Sequence, residues 1–187
     1  MKEEVQLYLD MADESMRHSE QHLEDSLAHI RAGKANPRIL DAVRVNYYGS
    51  NVPISNVASI STPDAKTIAI QPWEKSMIKE IEKAIMNSEV GITPDNNGEM
   101  IRLSIPPLTE DRRRELVKQV RSEGEDARIS IRNARRDAIE AIKKLVKEGL
   151  PEDMGKDSEE EVQKKHDKHI KHLEEIIAAK EKEIMTV

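Results

Sequence analysis

Leu9, Met16, Leu23 and Ile30 fall seven apart, with Val5, Ala12, Ser19 and Ser26 at the companion positions. This spacing predicts a helix over 5–30 with a narrow apolar seam, ending near Gly33 because Pro37 cannot continue it. A second helix is expected after Pro106-Pro107, with Thr109 as N-cap and Glu110 and Asp111 in its first turn. Its seam runs Val117, Val120, Gly124, Ala127, Ile131, Ala134, Ala138, Ala141 and Leu145. Continuous to Glu148, about 40 residues at 1.5 Å each make a rod of about 60 Å. Gly149–Asp157, with Pro151, Asp153 and Gly155, reads as a loop, and Ser158 as the cap of a third helix. That helix would bury Val162, His166, Ile170, Leu173, Ile177 and Ile184. Three such seams satisfy one another in a three-helix bundle.

Residues 34–105 follow another period. Alternating or β-branched runs occur at Ala42–Tyr48, Val57–Ser61, Thr67–Gln71 and Met100–Ile105. Turn compositions separate them at Gly49-Ser50-Asn51, Thr62-Pro63-Asp64-Ala65 and Asp95-Asn96-Asn97-Gly98. One amphipathic helix, Glu74–Asn87, uses Met77, Ile78, Ile81, Ala84 and Ile85. The pattern predicts a compact α+β module inserted between the first and second bundle helices. Two chain crossings join the domains, near Arg31–Arg38 and Ile105–Leu108. The restricted backbone of Pro106-Pro107 makes the second a defined elbow.

Charge changes the picture more than composition does. The 187 residues carry 35% charged and 37% hydrophobic side chains and a net charge of −6, as expected of long helices that each bury only a stripe. Residues 1–30 hold two basic and eight acidic groups, whereas 109–148 hold twelve basic and nine acidic. On the second helix Arg114, Lys118, Arg121, Arg128, Arg132, Arg135, Arg136 and Lys143 project within about a third of the circumference, with Glu125 the one opposing charge among them. A one-sided row of guanidinium groups suits a phosphate-rich polyanion, since each planar fork can hold two oxygens. A locally positive face on an acidic protein favours specific docking over indiscriminate coating. Arg31, Lys34 and Arg38 form a second basic group at the first crossing.

Other chemistry is poorly supported. There is no cysteine, hence no disulfide framework, thiolate metal site or cysteine nucleophile. His166, His169 and His172 recur every three residues and diverge around a helix, so they read as solvated or seam-edge side chains, not metal ligands. Paired carboxylates lie on helix surfaces without a pocket to split their pKa values. No phosphate loop, dinucleotide fingerprint or nucleophile elbow is present, so no enzyme is expected. Tyr47-Tyr48-Gly49 reads as sheet packing beside a turn. The N-terminus lacks signal-peptide character and no apolar run approaches membrane-spanning length, which predicts a cytosolic protein with no membrane partner.

The segments Ile30-Arg31-Ala32-Gly33-Lys34-Ala35-Asn36-Pro37, Val45-Asn46-Tyr47-Tyr48-Gly49 and Glu82-Lys83-Ala84-Ile85 resemble the bacterial ribosome recycling factors. So do Pro106-Pro107-Leu108-Thr109-Glu110-Asp111-Arg112-Arg113 and Ile131-Arg132-Asn133-Ala134-Arg135-Arg136-Asp137-Ala138. The likeness spans essentially the whole chain in order and spacing. It implies an α+β, L-shaped, tRNA-sized molecule: an elongated three-helix bundle of residues 1–30 and 106–187, and a small β/α/β sandwich of residues 31–105. A two-strand hinge would join them, placed here at Gly33, Pro37, Pro106 and Pro107. It implies a non-enzymatic factor, without cofactor or metal, that works with elongation factor G and GTP. Together they split the post-termination ribosome and free mRNA and tRNA. It also implies docking on large-subunit ribosomal RNA through Arg31, Arg132 and Arg135, with Asn133 and Arg136 in the same motif. Lys34 stands where many members have arginine, keeping the charge without the fork. Arg128 joins this set from the basic row. The seams, satisfied within one chain, predict a monomer. The competing class is a coiled-coil adaptor whose charged faces bind partner helices.

Overall fold

The computed structural model describes residues 1–30 and 32–186. The chain divides into two compact units, Met1–Leu27 with Arg114–Val187, and Ala28–Arg113. The division falls earlier than residue 30 on the first crossing and later than residue 106 on the second.

The first unit holds helices α1 (Lys2–Ala28), α3 (Glu110–Lys147, its first turn in the other unit) and α4 (Glu152–Met185). Val5, Leu9 and Ala12 of α1 pack with Ala138, Ile142 and Leu145 of α3 and Val162 of α4. Thus α3 runs against both other helices. Burying each Leu or Ile contributes about 1.5–3 kcal/mol, so the seam supplies most of the bundle's stability. The seam is less alanine-rich than expected: α3 buries Leu116 and Ile142 and leaves Val117 and Ala141 half-exposed. On α4 the buried histidine is His169, not His166.

Two expected boundaries move. Helix α1 stops at Ala28, short of Gly33. Helix α4 begins at Glu152, so the predicted loop through Asp157 is helical and Ser158 is no cap. The Ser158 hydroxyl donates to the Met154 carbonyl within the helix at 2.6 Å. The reason is packing. A Cβ on Gly155 would lie 2.5 Å from Cγ2 of Val146, so this glycine brings α4 against α3. It does not break the helix. The real turn is Gly149, at φ +113, followed by Pro151.

In the second unit the hairpin β1 (Arg44–Tyr47) and β2 (Ser50–Pro53) stands apart from an antiparallel sheet. That sheet comprises β3 (Ala58–Asp64), β4 (Thr67–Pro72), β5 (Asp95–Asn96) and β6 (Ile101–Ser104), in the order β3-β4-β6-β5. Helix α2 (Ile78–Met86), shorter than predicted because Lys75–Met77 is a 3-10 turn, packs Ile78, Ile81 and Ile85 onto Ile68, Ile70, Ile101 and Leu103. Strands β2 and β5 fall where turn composition predicted none, and β3 extends through Thr62-Pro63-Asp64 with a bulge. The actual β1–β2 turn is Tyr48-Gly49, both left-handed, at φ +48 and +86. This is the mirror-image turn whose twist suits a hairpin.

Candidate nucleic-acid interface

Position on α3 decides how each basic side chain is used. The row has an inner edge, turned toward α4, and an outer edge turned to solvent. Arg128, on the inner edge, is only 22% exposed and is held by three hydrogen bonds. Its Nε and Nη2 donate to the two Glu174 oxygens at 2.6 and 2.9 Å, and its Nη1 donates to Glu125 Oε2 at 3.0 Å. The bidentate pair pushes the guanidinium pKa further up and holds the Glu174 carboxyl below its ordinary value. Arg135, half-buried on the same edge, donates to Gln163 at 3.3 Å. Arg121 Nε donates to Glu181 at 2.8 Å.

The outer edge is freer. Arg132 is 52% exposed and among the described residues reaches only Glu125 Oε1, through Nη1 at 3.4 Å. Arg136 is 62% exposed, with a long 3.5 Å contact to Asp137. Asn133, Lys118 and Lys143 are exposed. The expectation that Glu125 alone interrupts the row is therefore corrected. Glu174 and Glu181 of α4 also face it, because an inner-edge arginine must meet whatever the neighbouring helix presents. What remains toward solvent is the edge carried by Arg132 and Arg136. Exposed pairs of this length hold their arginines by about 1 kcal/mol or less, so a phosphate can displace them.

Arg31 lies outside the described residues. Lys34 is exposed and belongs to the second unit. Around it the two crossing segments are tied to the β3–β4 turn. Ala35 N–H donates to the Ala65 carbonyl and Ile105 N–H to the Lys66 carbonyl, each at 2.7 Å. Gly33 takes φ +77, a left-handed angle that glycine adopts without strain, while a Cβ there would make only ordinary contact with Leu108, at 3.4 Å. Pro37 opens a 3-10 turn capped by Asn36, whose side chain accepts from Arg38 N–H and donates to the Ala28 carbonyl. Pro106 and Pro107 are exposed, and Thr109 Oγ1 accepts from Arg112 N–H at 3.2 Å, capping α3 as expected.

Two clusters escaped sequence reasoning. His169 is buried between α1 and α4, with Nδ1 2.6 Å from Glu20 Oε1 and Nε2 2.8 Å from Asp13 Oδ1. His172 Nδ1 meets the other Glu20 oxygen at 3.0 Å. The hydrogen bond from His169 holds the Asp13 carboxyl low, and Glu20 raises the His172 pKa. His169 is thus neither solvated nor at the seam edge. Among the described residues no group of three or more His, Asp or Glu side chains is arranged to hold a metal ion. In the second unit both Tyr47 and Tyr48 hydroxyls donate to Glu74, at 3.1 and 3.0 Å, which raises both phenol pKa values. Tyr48 is 80% exposed, so it is not sheet packing. Among the described residues no helix is long and apolar enough to cross a membrane.

Comparison with known proteins agrees with the resemblance. The family described as ribosome recycling factor matches residues 23–185. The chain is 63% identical over 176 residues to a ribosome-recycling factor of Parabacteroides distasonis, covering 94% of each chain. It is 54% identical over 187 residues to that of Flavobacterium johnsoniae, covering all of both. Among solved structures, it superposes on the solution structure of a ribosome recycling factor with a TM-score of 0.81 at 39% identity, covering 98% of each chain. A second similar structure comes from models of the Thermus thermophilus (T. thermophilus) factor and Escherichia coli (E. coli) elongation factor G bound to the E. coli post-termination complex. Its TM-score is 0.68 at 40% identity, over 97% of this chain and 99% of that one.

Proposed function

The chain belongs to the ribosome recycling factor family, and from that membership we propose that it disassembles the post-termination ribosome together with elongation factor G. The reading rests above all on one observation. A chain 40% identical over nearly its full length is seen in a post-termination complex with that factor. In this reading the bundle docks on large-subunit ribosomal RNA through the outer edge of the α3 row, Arg132 and Arg136, with Asn133 and Arg135 beside them. Lys34 and Arg31 add positive charge at the first crossing. Recognition is of backbone and shape more than of sequence.

The chain's own part is binding and leverage, not bond chemistry. Nucleotide hydrolysis by the elongation factor supplies the free energy. The helices of the bundle, close-packed at Gly124 and Gly155, resist bending and carry force to the contacts between subunits. Residues 1–30 with 106–187 act as the docking domain and 31–105 as the moving one. The elbow lies at Gly33, Pro37, Pro106 and Pro107, and the factor acts as a monomer in the cytoplasm. A subunit-splitting assay tests the reading. Splitting should require this chain, elongation factor G and GTP together, and splitting that proceeds equally without the chain would refute it.

A further inference from the structure

Glu125 sits among the arginines that the proposed function uses, and its two oxygens are used unequally. Oε2 accepts from Arg128 at 3.0 Å and Oε1 from Arg132 at 3.4 Å. Arg128 itself cannot swing away, since Glu174 takes its Nε and Nη2 together. Glu174 therefore fixes Arg128, Arg128 fixes Glu125, and Glu125 presents its second oxygen to Arg132. Nothing in the packing requires this last contact. Arg132 and Glu125 are both about half exposed, at 52% and 49%, and neither lies in the buried seam of α3.

We infer that Glu125 is an internal anion that phosphate must displace from Arg132, and that Arg128 is its anchor and not a phosphate ligand. This rests on the docking reading above and assigns separate roles within the row. Arg128 has no fork to offer, because its Nε–Nη2 edge is closed by a carboxylate and Nη1 by another. Arg132 has a fork, occupied on one nitrogen by a long and exposed contact that two phosphate oxygens outcompete. Displacement still leaves a carboxylate beside the incoming phosphate, held there by Arg128. Glu125 is therefore a positioning and affinity-setting residue. It makes the row bind less tightly than its number of guanidinium groups implies.

The test is a double-mutant cycle on binding to isolated large ribosomal subunits at fixed salt. Glu125→Gln should tighten binding by roughly two- to five-fold, the range expected for releasing one exposed ion pair. In an Arg132→Ala background the same change should have little effect, because the group it frees is gone. Glu140→Gln makes the same charge change at an exposed position of α3 with no ion pair among the described residues. It should move binding less than Glu125→Gln does. Arg128→Ala should lower the melting temperature while leaving the salt dependence of binding unchanged. The inference is overturned if Glu125→Gln has the same effect with and without Arg132, if it does not tighten binding, or if Arg128→Ala flattens the salt slope. Should Arg132→Ala alone leave binding intact, the docking reading itself fails. That outcome differs from one in which Arg132 matters but Glu125 does not.

Discussion

Glu20 and His169 are 149 positions apart in sequence and 2.6 Å apart in the bundle. With the partly exposed Asp13 and His172 they tie α1 to α4. A carboxylate as buried as Glu20 is costly without donors. Among the described residues His169→Ala would leave Glu20 with His172 alone, and should destabilise the bundle by about 3 kcal/mol in a denaturant titration. The linked pH dependence has a definite sign. Asp13 and Glu174 titrate low in the fold, so the stability they add is present above their ordinary values, 3.8 and 4.5, and is lost as pH falls through the depressed ones. His172 titrates high, so its share is complete below 6.5 and is lost as pH rises through the raised value. Thermal stability should therefore peak between about pH 5 and 6.5 and decline on both sides. Because His172 is half exposed, its limb should amount to about 0.5 kcal/mol or less. His172→Gln should remove the decline that begins just above pH 6.5 and keep the acid one; an unchanged decline there would refute the assignment. None of this could be read from the sequence, where a histidine every third residue on a charged helix looks solvated and its partners belong to a distant segment.

At the scale of elements, periodicity located the helices because each seam repeats over many turns. The ends were harder to read. Pro151, Asp153 and Gly155 have loop composition, yet tertiary packing makes Gly155 a contact point inside α4. Strands β2 and β5 hid for a similar reason: Ser-Asn-Val-Pro and Asp-Asn look like turns until a neighbouring strand supplies hydrogen bonds. The two interhelical glycines should respond differently to a methyl group. At Gly124 the added Cβ would meet Ile177 twice, at 2.5 and 3.1 Å, and Ile177 is buried. Gly124→Ala should therefore cost about 1–2 kcal/mol, overpacking outweighing the gain of about 1 kcal/mol in helix propensity. At Gly155 the added Cβ would meet Val146, which is half-exposed and therefore less enclosed than the buried Ile177. Gly155→Ala should be within about 0.5 kcal/mol of neutral. Chemical denaturation of both variants decides between them, and equal costs would contradict the packing argument. The basic row shows the same limit of sequence reading. Its angular position on α3 was clear, whereas the carboxylates of α4 that close its inner edge were not.

At the scale of the whole molecule, several distinct motifs in one order carried the family identity, and the two units follow from the switch between periods of 3.6 and 2 along the chain. What the sequence left open was which arginines remain available. Chain connectivity adds a further expectation. Replacing Pro106-Pro107 with Gly-Gly releases about 1 kcal/mol of backbone restriction per position. Large-subunit binding should survive while splitting with elongation factor G slows; undiminished splitting would remove this elbow from the mechanism.

The central claim is that the solvent-facing edge of α3 grips ribosomal phosphate. It is tested most directly by the salt dependence of large-subunit binding for wild type and an Arg132→Ala, Arg136→Ala variant. Each phosphate no longer neutralised should flatten the slope of log affinity against log salt by roughly 0.7–0.9. The double variant should therefore bind more weakly and with a slope shallower by about 1.5. Weaker binding with an unchanged slope, or no weakening at all, would contradict the account.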